Sequence, residues 1–192
     1  HPGAAPVVRS LAEALGVAVP AAQLGRLDDT TPAPHSDDRL GYLVAVSTDG
    51  RTTAHVLDSL RLGGGREFDA VAYLRERLLD TYLGSVDDSP EQWRWKRAGP
   101  SAHWIQEPRD RERAFAKYDG LLAGLARGSV SGLVNFGVEY QERLGVMAYQ
   151  RTLDRQLLSL LDWAVCDSVT TAFQAALTDS VIAPVSMLTI CW

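Results

Sequence analysis

The clearest β-type pattern of apolar and polar positions runs from residue 42 to residue 57. Tyr42 to Ser47 forms one short apolar and β-branched segment, and Thr52 to Leu57 forms a second. Asp49 and Gly50 separate them, and this dipeptide favours a type I′ turn, because both central residues of that turn need a positive φ. The pattern therefore predicts a β-hairpin over about 42–57, with His55 on a largely apolar face of the sheet.

Helical spacing of apolar residues covers much of the remaining N-terminal half. It predicts a helix over Pro6–Leu15 that ends at Gly16, and a second helix over about Glu67–Tyr82. Another helical turn is predicted after Pro20, and a further helix after Pro108. The segment between residues 85 and 100 has no such spacing and is predicted to be a loop.

The longest helical signal lies in the C-terminal half and runs from about residue 131 or 137 toward Leu177. A break near Cys166 could divide it into two helices. Its apolar positions recur every three or four residues, which predicts one buried stripe. That stripe comprises Val146, Tyr149, Leu153, Leu157, Leu160 and Ala164.

Together these elements predict an α+β fold. We expect a small antiparallel sheet built on the 42–57 hairpin and packed by four to five helices, with a helix-rich C-terminal half. The chain of 192 residues fits a single domain. Residues 28–40 are polar and contain prolines, which predicts a linker between an N-terminal helical arm and the main body. The apolar segment 181–192 is predicted to be either a further strand or a docking arm.

Composition narrows the class of protein more than it narrows the function. The net charge of −5 argues against general affinity for nucleic acid. Of 19 basic residues only Lys96 and Lys117 are lysines, a bias that suggests a GC-rich, bacterial genome. Two cysteines cannot form a disulfide framework, which favours a reduced cytoplasm, and no segment is apolar enough to cross a membrane.

Aromatic and basic residues alternate in one unusual segment. Trp93, Trp95 and Arg97 are followed closely by His103 and Trp104. Indoles beside a guanidinium group can line a pocket for a small molecule and hold its acid group. The alternative is that the tryptophans anchor the segment to the core while the charged residues stay outside. We take Trp93, Trp95, Arg97 and Trp104 as the candidate ligand-binding residues.

Two histidines are candidates for proton transfer, because the ordinary pKa of histidine lies near neutrality. His103 is the first candidate, since it lies among pocket-type residues, and His55 is the second. The sequence contains no metal-binding spacing and no motif for a cofactor, so we expect neither a metal nor a cofactor. Gly63 to Gly65 lacks the lysine of a phosphate-binding loop and is interpreted as a connector.

Two functions from different classes fit these features. The first is a non-catalytic bacterial module that binds a partner protein or a small ligand through its long amphipathic helix and its apolar tail. That helix and tail also make a homodimer plausible. The second is a small enzyme that acts on an acidic or aromatic organic molecule. In this alternative the tryptophans shape the pocket, Arg97 orients the substrate and His103 moves a proton.

Overall fold

The described part of the chain comes from a computed structural model and has several gaps. It covers residues 4–20, 22–26, 40–44, 50–62, 68–85, 93–97, 99, 102–107, 111, 113–118, 120, 125–126, 135–137 and 149–183. Residues 28–39 of the predicted linker, the glycine run at 63–65, residues 138–148 of the predicted long helix and the tail beyond residue 183 lie outside the described residues.

Both N-terminal helices predicted from apolar spacing are confirmed. Helix α1 spans Ala4–Ala14, and Gly16 follows it with a φ of 65°. Helix α3 spans Ala70–Leu83, and Gly84 ends it with a φ of 62°. Such a left-handed residue lets the chain leave the helix while its last carbonyl groups are still hydrogen-bonded, and glycine adopts it at little cost.

The predicted hairpin is wrong, because its two halves do not pair with each other. The described part of the first half belongs to strand β2, Leu40–Val44, which pairs antiparallel with strand β1, Ala22–Arg26. Most of the second half forms helix α2, Thr53–Arg61, which places His55 on a helix and not on a sheet. The helical turn predicted after Pro20 is therefore also wrong, since that region contributes β1.

The physical reason for this correction lies at Gly50 and Thr52. Gly50 does not have the positive φ that a type I′ turn requires. A Cβ atom at Gly50 would lie 2.7 Å from the Cβ of Arg94 and 2.8 Å from Oε2 of Glu107, so close packing accounts for the glycine. Thr52 in turn caps α2, because its hydroxyl group accepts a hydrogen bond from the His55 amide at 3.4 Å.

A second antiparallel sheet contains the aromatic segment that the sequence predicts to be a loop. Its strand order is β3, Arg51–Thr52, then β4, Arg94–Lys96, then β5, Ile105–Gln106. In this sheet Trp95 lies opposite both Arg51 and Gln106. The pairing makes Trp93, Trp95 and Arg97 alternate with residues on the other face.

The long C-terminal helix is divided into two helices, and the break lies earlier than predicted. Helix α4 spans Arg151–Leu158 and helix α5 spans Trp163–Ala176, with Asp162 in an extended conformation between them. Leu153 and Leu157 are buried as predicted, whereas Tyr149, Leu160 and Ala164 are exposed. The apolar spacing continues across the break, but the chain direction changes there.

The helix predicted after Pro108 is not present in the described residues 113–118. Phe115 has a φ of 61°, which interrupts a helix, and its amide donates a hydrogen bond to the Leu83 carbonyl at 3.0 Å. Phe115 instead packs with its ring centroid 5.0 Å from that of Phe136. Phe115 therefore packs against the C-terminal end of α3 from a non-helical turn.

Two hydrophobic clusters share helix α3. The first cluster joins α1 and α5 to the C-terminal half of α3, through residues such as Leu11, Leu79 and Phe173. The second joins α2, α4 and the three-stranded sheet to the N-terminal half, through Tyr73 and Leu157. The α+β class and the small antiparallel sheets packed by helices are thus confirmed, with five helices of eight or more residues in the described part.

Candidate functional site

The tryptophans of the aromatic segment lie in the second hydrophobic cluster. Trp95 has no exposed surface, and Trp93 and Trp104 are also buried. The Phe68 ring lies 5.1 Å from the Trp95 ring, centroid to centroid. The indole N–H of Trp95 donates a hydrogen bond to Oγ1 of Thr53 at 3.0 Å. Trp95 is therefore a core residue that ties β4 to the start of α2.

The structure brings three of the candidate residues together at the edge of this cluster. The Arg97 guanidinium carbon lies 4.2 Å from the centroid of the Trp104 ring, which is a cation–π contact. The His55 ring meets Trp104 edge-on at 5.9 Å. His103 is exposed beside Trp104 in sequence, and no contact in the described part joins it to the other candidates. The binding and catalytic roles of all these residues remain predictions.

Sequence reasoning missed a buried ionic network on α3. The Arg77 guanidinium bonds Asp154 through Nε at 2.9 Å and Asp80 through Nη1 at 3.0 Å. The Tyr73 hydroxyl donates to the same Asp154 carboxylate at 2.6 Å. Burial opposes the charge on Arg77, but the two carboxylates outweigh it, so the pKa of Arg77 is raised.

Arg111 continues the network from the loop that follows the three-stranded sheet. Its Nε donates to Asp80 at 2.8 Å, and its Nη2 forms an ion pair with Glu76. Burial again opposes the charge, and Asp80 and Glu76 again outweigh it, so the pKa of Arg111 is raised. Because each group is tied to another buried group, the network holds Arg111 and α4 against α3.

The most exposed large aromatic residue in the described part is Trp163, at the start of α5. Its exposure is 84%, and the neighbouring Leu160 is also exposed. Asp162 and Asp167 flank these side chains and are themselves exposed. We call Leu160 and Trp163 the corner patch, because they lie where the chain turns from α4 into α5.

A signal in the sequence could have identified this patch. From Gln156 to Trp192 there is no lysine, arginine or histidine, whereas Asp162, Asp167 and Asp179 are acidic. The prediction from helical spacing overlooked this signal, because it placed Leu160 in a continuous buried stripe. Asp162, which takes the N-cap position of α5, marks the break that exposes Trp163.

No group of three or more histidine, cysteine, aspartate or glutamate side chains is arranged to hold a metal ion in the described part of the chain. None of the helices in the same residues is long and apolar enough to cross a bilayer.

Comparisons with known proteins give no match. A scan of the chain against protein-family models finds none, and searches of curated proteins and of solved structures also find none.

Proposed function

We propose that this chain is a non-catalytic interaction module that docks a protein segment on the corner patch. The observation that carries the proposal is the exposure of Trp163 at 84%. An indole ring offers a large, rigid contact area, and tryptophan is among the residues that contribute most to binding energy at protein interfaces. An exposed indole of this kind has little structural use in the free chain.

The charge around the corner patch identifies the chemistry of the partner. Asp162 and Asp167 flank Trp163, and no basic residue follows Arg155 in the sequence. A partner that combines apolar anchors with lysine or arginine at its rim would be attracted to this surface and oriented on it. We therefore assign the patch to a basic, amphipathic helix or strand of a second protein.

Two other occupants fit the charge less well. A second copy of the chain would bring its own acidic residues against Asp162 and Asp167, which opposes a symmetric contact at this position. An anionic membrane surface attracts lysine and arginine, which the sequence lacks after Arg155. The homodimer expected from the sequence remains a separate prediction and becomes an outcome of the test.

The test measures how a defined basic peptide binds to the wild type and to two variants. The probe is an amphipathic helical peptide of leucine and lysine, and its binding is measured by isothermal titration calorimetry. The Trp163→Ser variant should weaken its binding by about tenfold or more, since a central aromatic anchor is lost. Leu62→Ser is the matched control, because Leu62 is 89% exposed and lies at the C-cap of α2, where the nearby Asp58 is paired with Arg61. It should change the affinity by less than about twofold.

The same experiment contains results that would overturn the proposal. A leucine and glutamate peptide that binds as tightly as the lysine peptide would contradict the assigned charge of the partner. Equal effects of Trp163→Ser and Leu62→Ser would remove the corner patch as the docking surface. If sedimentation velocity shows that the wild type is a dimer and that Trp163→Ser is a monomer, the corner patch binds a second copy of the chain and not another protein. Circular dichroism of both variants verifies that they fold.

A further inference from the structure

A groove lies between the C-terminal end of α1 and helix α5, away from the aromatic segment. Its volume is about 280 Å³, close to the lower end of the range for small-molecule pockets. The lining is apolar apart from one arginine, Arg75 of α3. The apolar lining residues are mainly Leu15, Gly16, Val169, Ala172, Phe173 and Ala176.

Small residues create the groove. Gly16 ends α1 with a positive φ, and a Cβ atom built on it would meet no atom within 4 Å. Ala172 and Ala176 lie one turn apart on α5 and present only methyl groups to the same space. Phe173, which is buried in the first hydrophobic cluster, closes the bottom. The small residues at these positions leave the space between α1 and α5 unfilled.

Arg75 supplies the only charge in the lining of this groove. Its side chain is exposed, and it forms no ion pair or hydrogen bond with the residues that the structure describes. The nearby Arg77, by contrast, is fully engaged with Asp80 and Asp154. A cation at the side of an apolar groove complements a ligand with an apolar body and one anionic group.

We propose that this groove is a binding site for a small amphiphilic acid, whose carboxylate pairs with Arg75 while its apolar body lies against Ala172 and Ala176. The volume suits a medium-length alkyl chain or a single aromatic ring, and not a protein helix. The site is independent of the corner patch. Trp163 lies about two turns from Ala172 along α5 and does not line the groove.

The test titrates octanoate, with 1-octanol and octylamine as neutral and cationic analogues, into the ¹⁵N-labelled protein and follows the amide NMR signals. Octanoate should shift the amides of Gly16, Ala172 and Ala176 at lower concentration than either analogue. Affinity should rise about two- to fourfold for each methylene group added between butanoate and octanoate, as more of the chain is buried. Phenylacetate, tested in parallel, distinguishes an aromatic acid from an alkyl acid.

Two pairs of variants make the test specific to this groove. Arg75→Gln should weaken octanoate about fivefold and leave 1-octanol unchanged, whereas Arg155→Gln on α4 should affect neither. Ala172→Phe should fill the groove and weaken octanoate more than tenfold, whereas Ala175→Phe, outside the lining, should not. All four positions are exposed, so the variants are expected to fold.

Each contrary result overturns the proposal. If octanoate and 1-octanol bind equally, or if Arg75→Gln and Arg155→Gln have the same effect, Arg75 does not select an acid. If Ala175→Phe weakens octanoate as much as Ala172→Phe does, the ligand lies elsewhere. Amide shifts confined to the region of Trp104 would move the ligand to the aromatic segment. None of these results depends on peptide binding at the corner patch.

Discussion

At the residue scale, Arg111 is the clearest test of what holds the structure together. It is 3% exposed and joins Asp80 and Glu76, two carboxylates on α3. The Arg111→Met variant leaves both carboxylates buried without this cation, so unfolding in urea should show a loss of about 3–5 kcal/mol. Arg61→Met is the control, because its ion pair with Asp58 is exposed, and it should lose less than about 1 kcal/mol.

The raised pKa of Arg111 also determines how this loss depends on pH. A group whose pKa is raised in the folded chain contributes its full stabilisation below its unfolded pKa and loses it only as the pH rises further. The difference between Arg111→Met and wild type should therefore stay constant from about pH 7 to about pH 10. A difference that falls within this range, or one no larger than that of Arg61→Met, would mean that Arg111 is not the charged link described here.

Residue patterns alone could not predict this network. From the sequence alone, Glu76, Arg77 and Asp80 are expected on the solvent-exposed face of α3, because charged residues on a helix are usually exposed. Their burial depends on Arg111 and Asp154, which approach from segments distant in sequence. A contact of that kind is set by tertiary packing, and no local spacing records it.

At the element scale, helix α2 depends on its cap. Thr52→Ala removes the hydroxyl group that accepts a hydrogen bond from the His55 amide. We therefore expect the free energy of unfolding to fall by about 0.5–2 kcal/mol and the first turn to fray. Thr52→Ser keeps the acceptor and should restore most of the stability. Urea unfolding measures the loss, and ¹³Cα chemical shifts of residues 53–56 report the fraying. A Thr52→Ser variant as unstable as Thr52→Ala would show that the cap contributes nothing.

The elements that the sequence predicts well are those whose signals are local. Helices α1 and α3 carry an apolar stripe and a glycine at the end, and both features act within a few residues. The prediction of a hairpin was wrong because Gly50 is not in a turn. It lies where the backbone packs closely against Arg94 and Glu107. Strand β1 contains Gln23 and Gly25 and has weak β propensity, so its pairing with β2 decides its conformation.

At the scale of the whole molecule, the candidate site was only partly predictable, because its geometry depends on tertiary packing and not on local sequence patterns. The unusual composition of the aromatic segment was visible in the sequence, but composition could not say that Trp95 points into the core while Arg97 lies over Trp104 at its edge. That outcome follows from the register of β4 against β5. The groove, by contrast, arises from the relative position of α1, α3 and α5, which no local spacing records.

The sharing of helix α3 by both hydrophobic clusters predicts that the molecule unfolds as one unit. Leu11 lies in the first cluster, and Leu11→Ala should cost about 2–5 kcal/mol through the cavity it creates. The buried tryptophans Trp93, Trp95 and Trp104 all lie in the second cluster. When Trp163 and Trp192 are replaced by phenylalanine, the fluorescence therefore reports on the part that Leu11 does not touch. Because Leu79 and Tyr73 belong to different clusters but to one helix, loss of the first cluster should destabilise the second.

The measurement compares urea unfolding of the chain with Trp163→Phe and Trp192→Phe, with and without Leu11→Ala, by tryptophan fluorescence and by far-UV circular dichroism. The two signals should show coincident transitions, both moved to lower urea by the same amount. Leu157→Ala in the second cluster is the companion variant and should move both signals in the same way. If Leu11→Ala shifted the circular dichroism transition but left the fluorescence transition in place, the two clusters would unfold separately. Helix α3 would then not couple them, even though the buried ion pairs of Arg77 and Arg111 lie between its two apolar ends.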